Sequence, residues 1–229
     1  MNRRYFFEAL AAFSAYTSKP ALAGVNNNAF TASLPVRICV VGVGGAGCAT
    51  VSHIRDALPQ TTQTIQINCD ETSLSKAISH RKILIGGGIQ ASPNAARDKA
   101  IERQPAIAEA MSSIDLVFIV AGMGGTTGTG IAPVIADIAK RAALFTIGVA
   151  ITPLDFEGDK RKKVAQSGVI DFKSKVDAFY EISNERLALS TDESIQFSTF
   201  LRLADRAFMS VYFSTVESLN STIFTTKSA

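Results

Sequence analysis

The chain has 229 residues, 47% of them apolar, which suffices for one sizeable core with or without a small appendage and excludes an intrinsically disordered protein. Setting aside the first 23 residues leaves 20 basic against 19 acidic side chains, a net charge of +1, so the electrostatic footprint of a nucleic-acid binder is missing. Cys39, Cys48 and Cys69 form no CxxC pair, and with only His53 and His80 in the chain no metal-ligand spacing arises; the thiols read as small buried hydrophobes of a reduced compartment.

The N-terminal stretch "MNRRYFFEALAAFSAYTSKPALAG" joins an arginine pair to an alanine-rich run and ends in Ala21-Leu22-Ala23, the small-residue pattern of a cleavage site. Its "RRYFF" is similar to a twin-arginine export signal, but Glu8 interrupts the apolar run, and the stretch is too short and too polar to span a bilayer. Residues 1–34 are therefore expected to be an N-terminal extension of a cytoplasmic protein, with export as the alternative. From Arg37 the chain reads as one folded unit. Apolar β-branched runs alternate with helical patterns: "RICVVGV" then "ATVSHIRDAL", "TIQIN" then "SLSKAIS", "DLVFIVA" then "IAPVIADIAKRA", and "LFTIGVAI", followed after another helix by "VDAFYEI". Such runs predict a parallel sheet covered on both faces, a doubly wound α/β, Rossmann-like fold. Pro105 is expected to kink the helix "PNAARDKAIERQPAIAEAM".

Doubly wound folds bind ligands at the carboxyl ends of their strands, and two glycine clusters fall there, Gly42 to Gly47 and Gly122 to Gly130. The first, "GVGGAG", fits G-x-G-x-x-G between a strand and a helix, a spacing that admits a pyrophosphate to a helix N-terminus. Alone it fits a nicotinamide or flavin site, with Asp70 as a ribose acid, or a tight turn with no ligand. The second packs five glycines and three threonines into residues 121–130 before an amphipathic helix. Two such loops on one sheet edge point to a polyphosphate held from both sides.

"GGTTGTG" at 124–130 resembles the signature loop of the tubulin/FtsZ family of GTPases, and the likeness extends from about Arg37 to Phe224 through "GVGGAG", "NCD" at 68–70, "DLVFIVAGMGG", "FEGDKR" at 156–161 and "ISNERL" at 182–187. The resemblance implies a GTP-binding domain over 35–190, a central helix region over 191–224, and GTP or GDP with Mg²⁺ as ligand. It makes Gly44, Gly45 and Gly47 the wall around the α- and β-phosphates, and Gly124, Gly125, Thr127, Gly128 and Thr129 the main cradle. Glu157 and Arg161 match its ribose and phosphate contacts; without the resemblance they read as a plain i,i+4 salt bridge. Asp205 and Asn184 take the guanine edge and Phe200 stacks on the base. Read without the family, Phe200 is a core residue, and Asp205 is a carboxylate that needs a partner if buried, for which Arg202 or Arg206 would also serve.

Several positions depart from the family pattern. Ala49 stands where the family carries asparagine, Thr126 replaces a glycine, and "GGGIQASP" at 86–93 inserts Ile89 and Gln90 into the γ-phosphate loop. The sequence also stops about where the family's loop of catalytic acids and its C-terminal subdomain would follow, so no catalytic residue and no protein metal ligand is assigned. In the family that loop completes hydrolysis in trans. The resulting expectation is a guanine-nucleotide binder with weak or no self-activated hydrolysis that modulates a full-length relative. The alternatives are a degenerate, non-binding interaction module and, more distantly, a dinucleotide-binding oxidoreductase. A final helix carrying Phe208, Met209, Val211, Tyr212, Phe213, Val216, Leu219 and Ile223 around most of its circumference is expected to leave an open apolar face for a homodimer or a division-protein partner, with Tyr212 and Val216 the residues to substitute if they lie on it.

Overall fold

A computed structural model describes residues 36–86, 92–191 and 196–227, with side chains of the last helix described from 199 to 219. The export reading of residues 1–34 and most of the loop at 86–93 lie outside the described residues, as does the side chain of Ile223. Val36–Phe208 forms one compact unit; the last helix continues from Met209 into a second.

Six strands form a wholly parallel sheet: β1 (Ile38–Val43), β2 (Gln63–Asn68), β3 (Arg81–Leu84), β4 (Leu116–Gly122), β5 (Phe145–Thr152) and β6 (Ala178–Ser183), in the order β3-β2-β1-β4-β5-β6. This is the doubly wound arrangement expected, with its switch point between β1 and β4. The runs "ICVVGV" and "LVFIVA" are buried throughout, because a parallel sheet has no solvent face. Val117, Ile119 and Ala121 of β4 join one core layer, while Phe118 meets Phe208 edge-to-face with centroids 6.1 Å apart. The strand β3 has no counterpart among the expected elements. It is a four-residue edge strand with two exposed and two half-buried positions, too short and polar to stand out as an apolar run.

The helices are α1 (Gly44–Ile54), α2 (Glu71–Ser75), α3 (Pro93–Glu102), α4 (Gln104–Ala110), α5 (Thr126–Arg141), α6 (Asp159–Lys173), α7 (Asn184–Leu189) and α8 (Phe197–Lys227), with 3₁₀ turns at Arg55–Ala57 and Asp155–Glu157. Pro105 breaks the expected helix rather than kinking it: α3 ends at Glu102 and Pro105 sits in the first turn of α4, where its missing N–H leaves no bond unmade. Both α1 and α5 start inside their glycine runs, several residues before the apolar periodicity begins. In α8, Tyr212 and Val216 are 1% and 3% exposed, so the condition that they lie on an open apolar face is not met. Met209, Val211 and Phe213 are half-buried. Among the described residues no helix is long and apolar enough to cross a membrane.

Candidate functional site

Of the two strands flanking the switch point, β1 runs directly into α1, which opens with Gly44, and β4 reaches α5 through Met123, Gly124 and the N-cap Gly125; the two openings touch. Gly44 has φ +69°, and a Cβ placed there would lie 3.0 Å from the Gly128 nitrogen and 3.3 Å from the Thr127 Cβ. Gly124 has φ +94° and abuts Arg161, whose Cγ would be 2.8 Å from an added Cβ. Left-handed backbone and close contact together explain why these positions carry no side chain.

The remaining glycines divide by what lies in front of them. A Cβ on Gly47 would meet the Val120 carbonyl oxygen at 2.2 Å, and one on Gly128 the Gly122 carbonyl oxygen at 2.2 Å, so these two let α1 and α5 settle onto the sheet edge. Gly45 and Gly125 have nothing within 4 Å in that direction and border open space. Neither α1 nor α5 has a side-chain cap or an acidic residue in its first turn, whereas Asp70, Ser92 and Ser183 cap α2, α3 and α7. Helix openings of this kind present backbone N–H groups and the positive end of the helix dipole, which complement an anion.

Two of the three threonines of the second loop are engaged within the protein. Thr129 is buried and its Oγ1 accepts the Gly124 N–H at 2.9 Å, which shapes the loop. The half-buried Thr127 hydrogen-bonds through its side chain to the Cys69 thiol, opposing the rise in thiol pKa that burial imposes. Arg161 Nε donates to Glu157 Oε2 at 2.9 Å, with the arginine half exposed, and Glu157 Oε1 accepts the Leu154 N–H at 2.8 Å. The pair is therefore closed on itself, as the plain salt-bridge reading has it, and Gly124 holds it beside the second loop.

Asn184 opens α7 at the carboxyl end of β6, half-buried; its neighbour Glu185 accepts the Asp155 N–H at 2.8 Å, tying this corner to the turn that carries Glu157. Phe200 is 5% exposed, the burial of a core residue, so a base stacking on it requires its cover to move aside. Asp205 is 7% exposed and its partner is neither Arg202 nor Arg206 among the contacts seen: His53 Nδ1 lies 2.8 Å from its Oδ2. Sequence reasoning did not single out that histidine as the partner of Asp205. It sits in the last turn of α1, whose first turn forms the glycine wall, a signal visible only once the helix is known. Asp70, the ribose acid of a dinucleotide reading, is occupied otherwise: its carboxylate accepts the N–H groups of Thr72 and Ser73 and the Ser73 hydroxyl, and these bonds, the hydroxyl foremost, hold its pKa below the usual carboxylate range. Cys39, Cys48 and Cys69 are buried and unpaired, as expected.

The family model "Tubulin/FtsZ family, GTPase domain" matches residues 37–192. The chain is 38% identical over 160 residues to cell division protein FtsZ 1 of Thermococcus kodakarensis, a match covering 67% of this chain and 43% of that protein. It is 36% identical over 177 residues to cell division protein FtsZ of Neisseria gonorrhoeae, covering 75% and 45%. A solved structure titled as an empty FtsZ dimer from M. jannaschii superposes with a TM-score of 0.70 at 29% identity, over 87% of this chain and 55% of that one. The chain thus spans less than half the length of these two curated relatives. Its signature loops, its sheet order and these matches agree: the chain belongs to the tubulin/FtsZ family and carries that family's GTPase domain.

Proposed function

We propose that this domain binds a guanine nucleotide across the carboxyl edge of its sheet. The observation that carries the reading is the meeting of two uncapped helix openings at the switch point, Gly44 against Gly128, with Gly45 and Gly125 bordering open space. The α- and β-phosphates lie along the first turn of α1 and against the amides of Gly124 to Gly128; Thr129 fixes the loop that presents them. Glu157 and Arg161 separate from each other to meet ribose and phosphate. Asp205 accepts guanine's N1–H and exocyclic amine, Asn184 takes the remaining edge, and Phe200 lies under the base. Mg²⁺ would be carried by the phosphates of the nucleotide, whose oxygens are hard ligands suited to it.

Calorimetry with GTP, GDP, ATP and NAD tests the reading. GTP and GDP bind at micromolar or weaker affinity and ATP does not, since adenine turns an acceptor N1 toward the Asp205 carboxylate. Equal affinities for ATP and GTP sink the guanine assignment, and tight NAD binding revives the oxidoreductase, against which the engaged carboxylate of Asp70 speaks. A non-binding interaction module predicts no heat with any of the four.

Turnover is a finer proposal. The assigned residues bind and orient; none is placed as a proton acceptor for an attacking water. Hydrolysis by the 229-residue polypeptide alone is accordingly slow and independent of its own concentration, and a full-length relative that presents an acidic loop to the nucleotide face stimulates it. Modulation of such a relative, in the cytoplasm and in the setting of cell division, is the proposed role. Tyr212 and Val216, being buried, take no part in any homodimer through the final helix, for which the half-buried Met209, Val211 and Phe213 are the candidates. A specific activity that climbs with the concentration of the pure protein defeats the turnover proposal.

A further inference from the structure

Helix α1 has a different task at each end. Its first turn is the glycine wall, and its last turn carries His53, whose Nδ1 lies 2.8 Å from Asp205 Oδ2. The histidine side chain is 36% exposed and the aspartate side chain 9%, so the carboxylate is interior and the ring stands at its rim. An ionised carboxylate only accepts, which places the hydrogen on Nδ1.

A carboxylate recognises guanine with two parallel bonds, to N1–H and to the 2-amino group, and both require its plane to align with the base. Rotation about χ2 of an aspartate is soft, with no sharp staggered well to fix that plane. A ring donor on Oδ2 supplies the constraint and leaves Oδ1 and the second lone pair of Oδ2 for the base. We propose that His53 is a positioning residue for base selectivity, holding the Asp205 carboxylate in the plane that distinguishes guanine from bases lacking its 2-amino group. Because α1 is one rod of 11 residues, about 16 Å long, the same element that lines the phosphates sets the orientation of the base acceptor. The inference rests on Asp205 being the guanine acceptor.

The test compares GDP, inosine diphosphate, which lacks the 2-amino group, and xanthosine diphosphate, by calorimetry on the full chain. The native protein prefers GDP over inosine diphosphate by about tenfold, the weight of one well-made charge-assisted hydrogen bond, and His53→Leu brings that ratio toward one. His53→Asn, whose amide nitrogen reaches the place of Nδ1, restores the ratio; His53→Gln, whose nitrogen reaches further, does not. Asp205→Asn turns the preference toward xanthosine diphosphate, whose 2-oxo group accepts from the amide. If Asp205→Asn leaves all three affinities in their native order, the guanine reading falls and takes the inference with it. If it shifts them while His53→Leu keeps the native ratio, or weakens GDP and inosine diphosphate equally, the positioning role is overturned and the guanine reading stands. Should His53→Leu fail to fold, equal ratios for the Asn and Gln variants overturn the proposal just as firmly.

Discussion

The proposed phosphate end of the site and its proposed base end are built by different means. At the phosphate end the working groups are backbone, supplied by two loops that each leave a strand and enter a helix within a few residues; Gly44 and Gly128 meet because β1 and β4 are neighbours in the sheet. At the base end the working groups are side chains drawn from far apart, His53 and Asp205 being separated by 152 positions in sequence. Backbone recognition is local and leaves a compact signature. Side-chain recognition is assembled by tertiary structure, and one member of the pair carries no motif at all.

The contrast is open to direct attack, first through the glycines. Gly128→Ala places a methyl 2.2 Å from the Gly122 carbonyl oxygen, a backbone atom that has nowhere to go. Overpacking of this severity costs about 3 kcal/mol, read as a lower urea midpoint. Gly125→Ala points into open space, so its stability stays within about 1 kcal/mol of the native protein while GDP affinity drops. Equal damage from the two variants erases the distinction between glycines that serve packing and glycines that serve the ligand.

At the base end Asp205→Ala weakens GDP about ten- to a hundredfold by removing a charge-assisted bond at a buried position. Its calorimetric signature is loss of selectivity over ATP, which no glycine variant reproduces. Smaller still is Thr129→Val. It leaves the Gly124 N–H without its acceptor inside the loop, costs about 1 kcal/mol in thermal unfolding, and lowers affinity only through the loop's shape. The smallest effect lies away from both ends. The carboxylate of Asp70 is held below its ordinary pKa, so the stability it confers is complete above the ordinary value and vanishes as pH falls through the depressed one. Acid titration of the melting temperature below about pH 4 is therefore steeper in the native protein than in Asp70→Ala; superimposable curves refute the capping role.

Much of the fold was legible because β1, β4 and β5 are largely apolar runs separated by helical patterns, and parallel sheets leave that trace. The edge strand Arg81–Leu84 escaped, since two of its four side chains face solvent and no run forms. Helix starts were read too late at α1 and α5 because glycine suggests loop, whereas here glycine is inside the first turn for lack of room. In the site the glycine loops were readable, being contiguous in sequence. The division of labour among them was not, since Gly45 and Gly47 differ only in what stands opposite. Likewise a buried Asp205 announced the need for a partner, but a histidine one helix length from "GVGGAG" gave no sign of being that partner. The apolar circumference of the final helix said that its faces need cover but not which of them have it; that Tyr212 and Val216 are buried is a property of the folded chain alone.

The three unpaired thiols have a practical consequence. Burial pushes Cys39 and Cys48 up to about 12 and raises Cys69 as well, so at neutral pH almost none is thiolate and alkylating reagents meet a closed surface. Labelling must wait for the protein to breathe. Cys39 lies in the middle of the sheet, Cys48 in the helix behind the first glycine loop, and Cys69 against Thr127 of the second. The chain thus carries three native kinetic probes, and their separate alkylation rates would time the opening of the sheet, the helix and the loop without a single introduced label.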